Sequence, residues 1–86
     1  MFNLNSRFVS YTGKAFLLSG VSLGEIDGYE VFEVMLFPIY NNTVDYAEER
    51  AARRFHNPVN AAEWFAEVYG DAMRGAYDEP TEYFDD

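Results

Sequence analysis

The chain has 86 residues, no cysteine and a formal charge of −9, with fifteen acidic side chains against six basic ones. A chain of this length holds one core, and without thiols it has neither a disulfide nor a thiolate metal site to reinforce that core. The negative field argues against direct binding to nucleic acid or to an anionic membrane, since both are polyanions that would repel the chain at long range.

Sixteen aromatic rings and a 49% hydrophobic composition supply the apolar area that a disordered chain lacks. The start, Met1-Phe2-Asn3-Leu4-Asn5-Ser6-Arg7, lacks a charged segment followed by an apolar run. No stretch approaches the roughly 18 apolar residues of a membrane span, so a cytoplasmic location is expected.

In chain order, residues 7–11 form a first short strand candidate, Thr12-Gly13 a turn, and residues 14–21 a second strand in which Gly20 permits a bulge or an end. Asp27-Gly28 is a two-residue hairpin signal, and a third strand runs over residues 29–37 to a stop at Pro38. Both alternating faces of this strand are apolar, Tyr29, Val31, Met35 and Phe37 on one and Phe32, Val34 and Leu36 on the other, which marks it as central. Asn41-Asn42-Thr43 matches a glycosylation sequon but reads as a turn leading into a helix.

Beyond that turn, Val44, Ala47, Ala51 and Phe55 recur at helical spacing, which predicts a helix over residues 43–55. Asp45 near its start and Arg53, Arg54 and His56 at its end have the charge order that a helix dipole favours. A second helix is predicted over residues 58–73, with Pro58 in its first turn and Asn60 and Glu63 as a capping-box-like pair. Ala62, Phe65, Ala66, Tyr69 and Met73 form its apolar stripe, and Glu63, Glu67 and Asp71 a ladder of carboxylates on another face. The expected fold is α+β, an antiparallel sheet of about three strands packed by two C-terminal helices, with Val44, Phe55, Phe65 and Tyr69 turned toward the sheet. Residues 1–75 form the domain, and residues 76–86 an acidic aromatic tail, mobile until something binds it.

No constellation points to catalysis. His56 is the only histidine and has no second ligand type to share a metal with, so dipole compensation is its better use. Ser6, Ser10, Ser19 and Ser22 lack a nucleophile elbow. The stretch Glu25 to Glu30 lacks the oxygen spacing of a calcium loop, and no Lys-Ser or Lys-Thr follows Gly20, Gly24 and Gly28 as phosphate binding would need. Arg50, Arg53, Arg54 and His56, near Tyr46, form the one cationic cluster, which pairing within a helix, Glu49 with Arg53, explains without a ligand. No enzyme, cofactor or metal is expected.

Charge placement is more informative. Residues 1–44 hold four acids against Arg7 and Lys14, whereas residues 45–86 hold eleven against four arginines. The candidate partner-binding set is Glu63, Glu67, Asp71, Asp78, Glu79, Glu82, Asp85 and Asp86, with Trp64, Tyr77, Tyr83 and Phe84 as aromatic anchors. A solvated face that keeps a small protein soluble is the simpler use of these charges.

In size, absence of cysteine and carboxylate-rich face, the chain resembles the small acidic inhibitors that phages and mobile elements encode against host defence. These include DNA mimics that occupy the nucleic-acid groove of restriction or CRISPR nucleases. That resemblance implies a stoichiometric inhibitor of a basic site on a nucleic-acid-binding protein or nuclease. Two alternatives are a regulatory module whose acidic aromatic tail docks on a partner, and an immunity protein or antitoxin against a basic toxin.

Overall fold

A computed structural model describes residues 3–79. Five strands and one helix follow in the order β1 (Asn3–Val9), β2 (Ala15–Ile26), β3 (Tyr29–Tyr40), β4 (Thr43–Val44), β5 (Ala51–Phe55) and α1 (Pro58–Met73). All pairings are antiparallel: β1 lies beside β2, β2 beside β3, and both β4 and β5 lie on the far side of β3. The strand with two apolar faces is thus central, as its composition requires.

Turn chemistry sets the β2–β3 register. Asp27 and Gly28 both have positive φ, 53° and 84°, the two-residue turn whose twist suits a hairpin. The first strand is displaced from the expected residues 7–11 to Asn3–Val9, and β2 and β3 run further than the sequence suggests. Gly20 pairs regularly with Val34, and the irregularity falls between Ser22 and Gly24, so β2 continues to Ile26. Pro38 does not stop β3. Its carbonyl accepts from the Asp45 N–H at 2.9 Å on the β4 side, where its own missing donor would also point and where the neighbouring strand is interrupted.

The predicted helix over residues 43–55 is absent. Asn41 and Asn42, with φ of 50° and 66°, turn the chain straight back, so Val44 pairs with Ile39. After a loop, Ala51 pairs with Leu36, Arg53 with Val34 and Phe55 with Phe32. Residues four apart share a face in a helix and in a strand alike, so Ala51 and Phe55 fit both periods. The open edge of an apolar central strand decides in favour of pairing, against local helix propensity.

Asn57 is the N-cap of α1, its side chain accepting from the N–H groups of Val59 (2.8 Å) and Asn60 (3.4 Å) with Pro58 behind it. Asn60 lies inside the helix, and the expected pair with Glu63 is not the cap. At the other end Gly75 has φ of 92°, the Gly75 N–H donates to the Ala72 carbonyl and that of Ala76 to the Asp71 carbonyl, a Schellman closure.

The helix buries Ala61, Val68 and Ala72, with Trp64 and Phe65 partly covered, against Phe16, Leu18, Phe32, Val34 and Leu36. The buried stripe is therefore rotated from the expected one: Ala62 and Ala66 are exposed, and Tyr69 covers Phe8 edge-on at 4.8 Å while still 38% exposed. Phe55 and Phe65 do pack on this core, but Val44 shares the opposite face of the sheet with Ile39. No helix among the described residues is long and apolar enough to cross a membrane.

Candidate functional site

The N-cap and the Schellman closure define both ends of α1, so the backbone positions from which its outward carboxylates project are set by the helix. Glu63 and Glu67 are exposed, and neither is in an ion pair among the described residues. They share a shallow concavity with Arg53, Phe55, Asn60 and Trp64. Asp71 differs, because Arg74 pairs with it at 2.5 Å one turn on. The ladder therefore presents two free carboxylates and one neutralised one. Arg53, stacked over the Phe55 ring at 4.9 Å, borders the free pair.

Trp64 and Tyr77 belong partly to the body of the fold. The Trp64 ring lies 5.9 Å from that of Phe55, and both Trp64 and Tyr77 pack against the core. Burial pushes the Tyr77 phenol above its ordinary value of 10.0, and the charges of Asp71 and then Glu67 push it further. Two carboxylates of the ladder thus act together on one hydroxyl.

Asp78 is anchored too. One of its oxygens accepts from the Thr12 hydroxyl at 2.5 Å, and the other is buried without a hydrogen-bond partner among the described residues. Glu79 is exposed beside Lys14, Tyr40 and Arg50. Glu82, Tyr83, Phe84, Asp85 and Asp86 lie outside the described residues, as does most of the expected tail.

The expected cationic cluster is split by strand alternation. Arg50 is buried, donating to the carbonyls of Tyr77 and Glu48 and to the Tyr40 hydroxyl, and so ties the chain after α1 to the β4–β5 loop. Arg53 faces α1, while Arg54 lies on the other side of the sheet and pairs with Glu33 at 2.9 Å. Glu49 forms no ion pair with Arg53 among the described residues. His56 caps no helix: it follows β5, lies against the Tyr29 ring at 5.4 Å, and its Nδ1 is 3.2 Å from the Glu30 carbonyl.

A second acidic group was visible in the sequence only as a turn. Glu25 and Glu30 sit directly opposite each other across the β2–β3 hairpin with Asp27 between them, all three exposed. Like charges in that register destabilise a hairpin. The signal that could have found them is the symmetric spacing of the two glutamates about Asp27-Gly28. Among the described residues no group of three or more His, Asp or Glu side chains could hold a metal ion. Comparison with protein-family models, with curated proteins and with solved structures found no match for the chain.

Proposed function

We propose that this chain is a small acidic binding protein that acts as a stoichiometric inhibitor, setting its carboxylates against the basic site of a nucleic-acid-binding protein or nuclease in place of nucleic acid. It would thus act as an anti-restriction or anti-CRISPR protein of the phage or mobile-element kind does. The observation that carries the reading is the unpaired, exposed state of Glu63 and Glu67 on a helix capped at both ends. Charges spaced about 6 Å apart along a rigid element keep their geometry on approach, whereas charges on a flexible chain must be ordered at an entropic cost. The Glu25, Asp27 and Glu30 tip adds a second negative point on another rigid element. Both groups tolerate like-charge repulsion, a cost to the free protein that a basic partner would relieve.

The test is capture of a binding partner from lysate at low salt, followed by elution with duplex DNA or with high salt. The mimic's partner is a nucleic-acid-binding protein that either eluent releases. The Glu63→Gln, Glu67→Gln, Asp71→Asn triple variant should lose capture while keeping its circular dichroism. Unaltered affinity of that variant at low salt would rule the reading out.

A tail-driven module is the second reading, favoured by the anchoring of Tyr77 and Asp78, which gives residues 80–86 a fixed point of departure. Truncation after Glu79 leaves those anchors intact and separates the two. The mimic keeps most of its binding, and the tail-driven module loses nearly all of it.

A further inference from the structure

Among the described residues strand β1 pairs only with β2, so its other edge is a border of the sheet. The Ser10 N–H donates to the Lys14 carbonyl at 2.8 Å, which makes that pair, and every second pair before it back to Leu4 with Gly20, the hydrogen-bonded ones of the β1–β2 ladder. The backbone N–H and C=O groups of Asn3, Asn5, Arg7 and Val9 therefore point away from β2, and all of these residues are exposed. Sheet edges are commonly guarded by charge, proline, a bulge or shortness. The opposite edge, β5, is 5 residues long and carries Arg53 and Arg54, whereas β1 runs regularly for 7 residues with Arg7 as its one charge. On the α1 side of the β1 edge, apolar area is partly uncovered: Leu4 is 42% exposed, and Tyr69, which covers Phe8, is 38% exposed.

We propose that β1 pairs with β1 of a second copy of this chain, antiparallel about a two-fold axis at Ser6, joining the two sheets into one. The strand's own sequence singles out this occupant. Outward backbone groups meet outward groups in registers centred on Asn5, Ser6 or Arg7, and only the register centred on Ser6 engages the whole strand. It sets Leu4 opposite Phe8 of the second copy and Asn5 opposite Arg7, and it brings no two charges together. The Leu4–Phe8 pairs fall at non-hydrogen-bonded positions, where facing side chains lie closest, so each Leu4 extends the core of the other copy past Tyr69. The outward residues exchange about eight backbone hydrogen bonds across the seam. A register centred on Arg7 would set that guanidinium against its own copy.

Charge placement agrees with this seam. Residues 1–24 contain no acid. Helix α1 crosses the sheet from β5, where Trp64 meets Phe55, to β1, where Tyr69 meets Phe8, so Glu63 and Glu67 lie beside Arg53 and Phe55 at the far border. Asp71, nearer the seam, is paired with Arg74. With strands about 4.8 Å apart, the free carboxylates of the two copies stand roughly 30 Å from each other, several times the screening length of about 8 Å at physiological salt. A seam about 24 Å long and one strand deep covers less than the standard interface of about 800 Å² per subunit, so association is concentration-dependent. Pairing through one self-complementary element about a two-fold axis is the commonest form of soluble oligomer.

Sedimentation velocity over a concentration series tests the proposal on the full chain. The expected result is growth of a species of twice 9.9 kDa that survives high salt. Asn5→Pro removes an outward donor and leaves the hydrogen bonds to β2 intact, so it makes the chain monomeric with unchanged circular dichroism. Leu4→Glu, at a position already 42% exposed, weakens association at least tenfold and serves where the proline disturbs the strand. The chain has no cysteine, so Ser6→Cys reads the register. Facing its own copy at a Cα separation of about 4.5 Å, it gives a disulfide-linked dimer on mild oxidation, whereas Val9→Cys, opposite Asn3, does not. A single 9.9 kDa species at the highest concentration overturns the proposal. So does a dimer that persists in both Asn5→Pro and Leu4→Glu, or one that Val9→Cys links as readily as Ser6→Cys.

Discussion

Leu17 and Leu18 are neighbours in β2, yet they look out on two different environments. Leu18 is wholly buried under α1, whereas Leu17, on the other side of the same strand, is only half-covered beside Phe37 and Ala15. The same contrast divides β3, where Val34 and Leu36 are sealed and Met35 between them is not. The side under α1 holds the fully sealed residues, while the other side buries Val31 and Phe37 and leaves Leu17 and Met35 partly covered.

The largest expected effect breaks the sealed side. Leu18→Ala should cost about 3–5 kcal/mol in urea unfolding, because a fully buried cavity between sheet and helix cannot collapse. Leu17→Ala should cost less than about 2 kcal/mol in dilute protein.

Next come the ends of the helix that seals the first side. Gly75→Ala should lose about 1–2 kcal/mol, from the positive φ and from a Cβ meeting Thr12 Cγ2 at 3.1 Å. Asn57→Ala should lose about 1 kcal/mol by freeing the first-turn N–H groups, read as a lower midpoint with an unchanged urea slope. Smallest is Glu25→Gln, which removes one of two facing carboxylates and should stabilise the hairpin by a few tenths of a kcal/mol.

Tyr77 reports on the ladder through pH. Its phenol holds its proton more tightly in the folded chain than in the unfolded one, so the unfolded state deprotonates first. Stability should fall as pH rises past 10.0 and level off above the raised value of the folded protein. Ultraviolet titration of Glu67→Gln should show the Tyr77 transition at lower pH than in the parent chain. An unmoved transition would separate the ladder from Tyr77.

The Asp27-Gly28 hairpin, the centrality of the third strand and the helix over residues 58–73 were all legible in the sequence. Each rests on a local rule: positive-φ residues in a two-residue turn, apolar alternation on both faces, and a proline in the first helical turn. Residues 43–55 were not legible, because the spacing of Ala51 and Phe55 satisfies two periods at once. At the site, the exposed positions of Glu63 and Glu67 could be read from spacing. The pairing of Asp71 with Arg74 was open to the same reading, since the two lie three residues apart on the helix, whereas the core packing of Trp64 and Tyr77 was not, because it depends on what α1 lies against.

By itself, then, the sequence determined the local geometry and the surplus of negative charge, because turns, caps and net charge depend on residues near each other in the chain or on composition alone. The tertiary structure decided which apolar face is covered, that Arg54 meets Glu33, and that residues 51–55 join the sheet. Those outcomes turn on contacts between segments twenty or more residues apart, such as Glu33 with Arg54, where the free edge of β3 outweighs local preference.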